Sequence, residues 1–281
     1  MTIPRLEAKL PGLAAFIAQL AQQRQDGTLT DWQGFKQQVQ AFYTPAMMQT
    51  IEQIVPGWGA MARYADQQTL IHVTSVLTAL RLLPEYQHAT PDQQALMLWM
   101  VLFHDVAKVA QRNKHDYVHG FRSAAVAGRG LALAGFPVTA AYPDQIDAWA
   151  ALTHNAIIYR DGIEDPIQDN RKLPEIIAGI DVLFGPHAPA GAVIKAVLLH
   201  LSIVTEPDYP IMAPLTDDEI QQYMDADVWS LLRVMLLVDM NGWNLFNVPV
   251  QQRYRSLTIQ AFDRFGRLIG LSDDPAWLVN P

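Results

Sequence analysis

Apolar residues recur at three- and four-residue spacing along almost the whole of this 281-residue chain, and no sustained run of alternating β-branched residues interrupts them. Each segment written this way carries one apolar stripe, which is buried by packing helices against one another. The expected fold class is therefore all-α, a helical bundle. At a usual helix length of roughly 11–12 residues, about ten to a dozen helices are expected.

Local punctuation agrees. "TPDQQALMLWMVLFHD" offers Thr90 as N-cap, Pro91 at the first helical position and Gln93 where a capping box places its amide; "TDDEIQQYM" repeats the logic with Thr216 and Glu219. In "LALAGFP", Gly135 suits the left-handed position that ends a helix, and Pro137 prevents continuation. The polar stretch 160–174, "RDGIEDPIQDNRKLP", reads as a loop able to overhang a site.

The chain has no cysteine, which excludes disulfides, thiolate zinc sites, iron–sulfur clusters and a cysteine nucleophile. Any metal must be held by nitrogen and oxygen. "AVLLHLSIVT" and "LLRVMLLVDM" are too short for the roughly 20 apolar residues of a membrane span and read as buried helices, so no membrane partner is expected. The N-terminus has neither the basic start nor the apolar core of a secretory signal, and a cytoplasmic location is the expectation. A net charge of −8 argues against stable nucleic-acid binding. From His104 to Arg129, however, Lys108, Arg112, Lys114, Arg122 and Arg129 outnumber Asp105 and Asp116, a local excess able to receive a small anion.

Chemistry concentrates around "LFHDVAK". His104 and Asp105 close the apolar helix begun at Thr90, and burying a carboxylate without a partner costs several kcal/mol. Two partners are open: Lys108, one turn on, and a metal ion completed from other helices. His72 lies among Leu70, Val73, Leu77 and Leu80. His119 and Ser123 open the alanine-rich "HGFRSAAVAGRGL", His154 ends "IDAWAALTHN", and Asp181 sits in "LPEIIAGIDVLFG". Apolar helices that each deliver an imidazole or carboxylate near one end suit a shared metal better than independent core histidines.

The order His72, His104–Asp105, His119, His154, Asp181 resembles the HD superfamily of metal-dependent phosphohydrolases, over about residues 68–185. "LFHDVAK" resembles the central motif with its lysine, "HGFRSA" the following His-bearing helix, and "ALTHN" and "GIDVLFG" the later His and closing Asp. A second dipeptide, His115–Asp116 in "KHDYVH", lies in a polar segment suited to a loop. The resemblance implies an HD-type core over 66–188, an N-terminal helical extension over 1–65 and a C-terminal extension over 189–281 packed on the core. It also implies that His72, His104, Asp105 and Asp181 hold one metal, that His119 and His154 add a second, and that Asp105 bridges them. N/O ligands of this kind suit one or two divalent ions of Mn, Fe, Co, Ni or Zn. The expected substrate is a small phosphorylated molecule, a nucleotide above all, with Lys108 meeting its phosphate and Arg122 as a second candidate. Two alternatives use the same scaffold: a di-iron oxygenase, and a metal-binding sensory or interaction module. "WSLLRVMLLVDMNGWNLFNVP" is apolar enough for a homodimer surface, although a buried helix is the better reading.

Overall fold

The computed structural model describes residues 2–63, 67–109, 116–159, 166–205 and 213–271. Among these the protein is all-α, with fifteen α-helices and a single short antiparallel ribbon that pairs Ile157–Ile158 with Ile167–Gln168. In chain order the helices are α1 (Leu6–Lys9), α2 (Pro11–Gln25), α3 (Trp32–Phe42), α4 (Pro45–Glu52), α5 (Trp58–Met61), α6 (Gln68–Leu82), α7 (Pro84–His88) and α8 (Pro91–Phe103). There follow α9 (His119–Ala134), α10 (Tyr142–Asn155), α11 (Leu173–Phe184), α12 (Pro189–Leu199), α13 (Asp217–Tyr223), α14 (Ala226–Trp243) and α15 (Val248–Leu268).

The excess over a dozen comes from the short helices α1, α5 and α7. Prolines cut two of them off: Pro11 and Pro91 open the next helices at their first position, where the missing N–H costs nothing but the preceding helix cannot run on. The expected caps form. Thr90 and Thr216 each complete a capping box, with Gln93 and Glu219, and Gly135 ends α9 at φ 98°.

α6 is buried at every residue from Thr69 to Leu80, and α8 at every residue from Met97 to Phe103, so both run through the interior. α14 packs most extensively on α6, and α12 lies between α9, α14 and α8. Close approach of α14 to α6 depends on Gly242, where a Cβ would come within 2.4 Å of Val76 Cγ2. Ser75 Oγ fastens the same crossing, sharing its proton between His72 O at 2.8 Å and Gly242 O at 3.0 Å. One continuous apolar core extends from Ile3 to Phe265. No helix among the described residues is long and apolar enough to cross a membrane. Arg112, Lys114, His115 and residues 160–165 of the expected overhanging loop lie outside the described residues.

Candidate metal centre

Five helices converge their ends on one buried point. α6 brings His72 from its second turn and α8 ends in His104, its C-cap, followed directly by Asp105. α9 opens with His119, His200 caps α12, and α14 brings Asp239 from its last turn and a half. Two triads result, His72–His104–Asp239 and Asp105–His119–His200, each with its ligand atoms within 4.8 Å of one another. All these residues are buried except Asp239, whose side chain is 22% exposed.

Asp105 stands between the triads. Its Oδ1 lies 2.6 Å from His119 Nε2 and 3.6 Å from His104 Nε2, while its Oδ2 lies 3.5 Å from His72 Nε2 and 2.7 Å from Lys108 Nζ. One carboxylate thus belongs to the second triad and lies against both histidines of the first.

The imidazoles are oriented by the backbone. His104 Nδ1 donates to Val101 O and His200 Nδ1 to Val197 O, each at 2.7 Å, and His119 Nδ1 donates to Asp116 O. A carbonyl only accepts, so Nδ1 carries the proton and a neutral ring turns its Nε2 lone pair inward, the tautomer a metal ligand requires. His119 Nε2 and His200 Nε2 consequently face each other at 3.2 Å. Buried His72 Nε2, His104 Nε2 and Asp239 Oδ1 have no hydrogen-bond partner. His72 Nε2 and Asp239 Oδ1 approach to 2.9 Å, but not in hydrogen-bonding geometry. Buried polar atoms are ordinarily satisfied, and orphans gathered at one point call for a cation. This donor set of four imidazoles and two carboxylates can hold a metal ion.

Electrostatics fit the geometry. Burial pushes His104 and His200 down, His200 to about 3 with the neighbouring His119 and His104 adding to the effect, so both rings are neutral and available as ligands. Burial pushes Asp105 up, but Lys108, His104 and His119 outweigh it and hold the carboxyl well below its usual range. At Asp239, burial is likewise outweighed by contact with His72 and by His104, and the group stays ionised. Burial alone would lower Lys108, yet Asp105 and Asp239 hold it above its usual value.

Of the six ligands expected from the sequence, the fold gathers His72, His104, Asp105 and His119. His154 and Asp181, also expected as ligands, are not among the side chains of the two triads. α10 buries Ile146, Trp149, Ala150 and Thr153, so His154, one residue on, points to solvent with Nδ1 on Ala150 O. α11 buries Ile180 and Leu183, which leaves Asp181 off the apolar stripe, paired with Lys195 Nζ at 2.9 Å. His200 and Asp239 take part instead, both beyond residue 188, where the sequence reading ended the metal-binding core. Each carries a signal in the sequence: a histidine closing "AVLLH" and a lone aspartate inside "RVMLLVDM" repeat the logic that singled out Asp105.

Lys108 makes the ion pair that its spacing allows, and also lies over the Trp243 ring at 5.7 Å. The described partners of Arg122 lie outside the two triads. Its guanidinium pairs with Asp116 and donates from Nε to Ala107 O at 3.2 Å, because the first turns of α9 clamp the backbone after Asp105. Ser123 Oγ accepts from Ala107 N–H at 3.2 Å, and Asp116 Oδ2 from Val109 N–H at 2.8 Å. Lys108 is thereby held from both sides.

No family model, curated protein or solved structure matches this chain. Fold and site together define an all-helical protein with a buried His/Asp cluster that can hold a metal ion.

Proposed function

We propose that this protein is a metal-dependent phosphohydrolase of the HD type, cleaving a phosphate ester or anhydride of a small molecule, with a nucleotide as the substrate class. The observation that carries the reading is Asp105, a buried carboxylate of one triad of metal-ligating side chains that also lies within 3.6 Å of both histidines of the other. His72, His104 and Asp239 would hold one divalent transition-metal ion and His119 and His200 a second, with Asp105 shared. When bound there, such an ion supplies Lewis-acid activation of water and of a phosphoryl oxygen at neutral pH.

The chain's own residues do the rest. The backbone carbonyls of Val101, Asp116 and Val197 keep three imidazoles in the ligating tautomer. Lys108 Nζ spends one proton on Asp105 and keeps two for the oxygens on which charge grows during phosphoryl transfer. The walls of the centre, nearly all buried, limit bulk water around the charged groups.

The test is metal analysis of the purified chain, followed by phosphate release from nucleoside mono-, di- and triphosphates and by ring opening of cyclic nucleotides to monophosphates. Wild type should release phosphate with manganese or cobalt, and His104→Ala should lose at least about 100-fold. Failure to take up metal under every reconstitution overturns the proposal. Iron-dependent oxygen consumption without phosphate release replaces it with an oxygenase.

A further inference from the structure

A cavity of about 490 Å3 opens beside the metal centre, lined by Trp32, Lys36, Gln68, Ile71, His72, Ser75 and Trp243. Its size lies within the roughly 300–1,000 Å3 of small-molecule sites. Gln68, Ile71, His72 and Ser75 form one face of α6, Trp32 and Lys36 stand a turn apart on α3, and Trp243 closes α14. The cavity is continuous with the chemistry, because His72 is both its wall and a member of the first triad.

Trp243 is the unusual member. It stacks on His72 with ring centroids 4.0 Å apart and planes within 18°, yet 43% of its surface stays open. A large aromatic side chain left open beside buried polar groups is exposed apolar surface that ligand binding would cover. Lys36 is exposed and makes no ion pair with a described residue, so the mouth is cationic in a chain of net charge −8. Gln68 adds an amide that can both donate and accept.

The geometry points to this cavity as the subsite for a nucleobase, with Trp243 as the stacking surface that sets specificity. The inference rests on the reading that the triads act on a phosphorylated small molecule, and a nucleotide is the phosphorylated ligand that brings a planar aromatic ring. Stacked against the open part of Trp243, the base leaves its phosphate directed towards His72, the residue that the cavity shares with the first triad. Gln68 meets the base edge, and Lys36 attracts the anion.

The experiment measures adenosine, which has no phosphate, binding to the chelator-treated full chain by titration calorimetry, so the result depends neither on metal nor on turnover. Saturable binding is expected, roughly ten- to hundredfold weaker in Trp243→Ala and restored to within a few-fold in Trp243→Phe. No saturable binding, or equal binding by wild type and Trp243→Ala, overturns the inference. Phosphate release from AMP and ribose 5-phosphate separates it from the hydrolase reading. Adenosine binding that depends on Trp243, with no release from either compound, supports the subsite and removes the hydrolase. Equal release from both compounds, without adenosine binding, keeps the hydrolase and removes the subsite.

Discussion

His119 Nε2 and His200 Nε2 face each other across 3.2 Å, each ring having given its Nδ1 proton to a backbone carbonyl. With Nδ1 the donor in each ring, the two Nε2 atoms are the ones turned towards the shared space. A metal ion there would meet both, and Asp105 Oδ1 at 2.6 Å from His119 supplies a third ligand atom. His200→Gln and Asp239→Asn should therefore each lower metal affinity by more than the roughly 10–100-fold that loss of an outer-shell partner costs. His154→Ala and Asp181→Asn should leave it unchanged. Metal content after dialysis against a graded chelator decides the matter; retention by His200→Gln with loss by His154→Ala would restore the ligand set expected from sequence.

Metal should also stabilise the fold, because the triads draw on five helices that an unfolded chain does not bring together. At a free ion concentration a hundredfold above Kd, mass action contributes about 2.7 kcal/mol. Melting by differential scanning calorimetry should rise by several degrees with at least one of Mn, Co, Ni or Zn and return with chelator. A Tm indifferent to all of them contradicts metal binding at this site.

Without metal, the protein should be acid-labile. His200 in the folded chain is lowered to about 3 by burial and by the neighbouring His119 and His104, and His104 is lowered by burial, against an ordinary histidine value of 6.5. The unfolded chain therefore binds protons that the folded chain refuses. Stability from these groups is complete above 6.5 and falls as pH drops below it, for His200 down to about 3, by up to about 1.4 kcal/mol per pH unit for each ring while it titrates. Asp105 and Asp239, both lowered, add a loss of the same sign below 3.8. Urea midpoints of the chelated protein should fall from pH 7.5 to pH 5; a flat profile would contradict the burial of neutral imidazoles.

Gly242 sets the distance between α14 and α6. A methyl group there would meet Val76 Cγ2 at 2.4 Å and the Val76 backbone at 3.0 Å, so the helices must separate. Gly242→Ala should cost about 1–3 kcal/mol by overpacking, and should weaken metal binding, since Asp239 lies three residues earlier on α14. Chemical denaturation alongside metal titration reads both. A variant as stable and as metal-competent as wild type would mean that the crossing has slack.

Asp116 ties Lys108's neighbour to α9, accepting from Val109 N–H at 2.8 Å and pairing with Arg122. Asp116→Ala leaves that N–H and the guanidinium without their carboxylate and should cost about 1–3 kcal/mol. In the proposed reaction it should also depress turnover more than metal content, because it removes the carboxylate that holds the backbone beside Lys108 but keeps the Asp116 carbonyl that orients His119. Equal loss of both would assign Asp116 to the metal instead.

The sequence by itself determined the helical class, the capping at Thr90, Gly135 and Thr216, and the special position of His104 and Asp105. These follow from local rules: periodicity, turn chemistry, and the cost of an aspartate at the end of an apolar helix. The partner choices were tertiary. His154 and Asp181 have the same local setting as true members of the cluster, an apolar helix with a metal-ligating side chain near its end, and only helix rotation separates them from His200 and Asp239. One residue along a helix turns a side chain through about 100°. Thr153 and Ile180 therefore face the core while His154 and Asp181 face away. Which way a helix faces is decided by what packs against it, and for α12 and α14 that is α6, α8 and α9, far away in sequence.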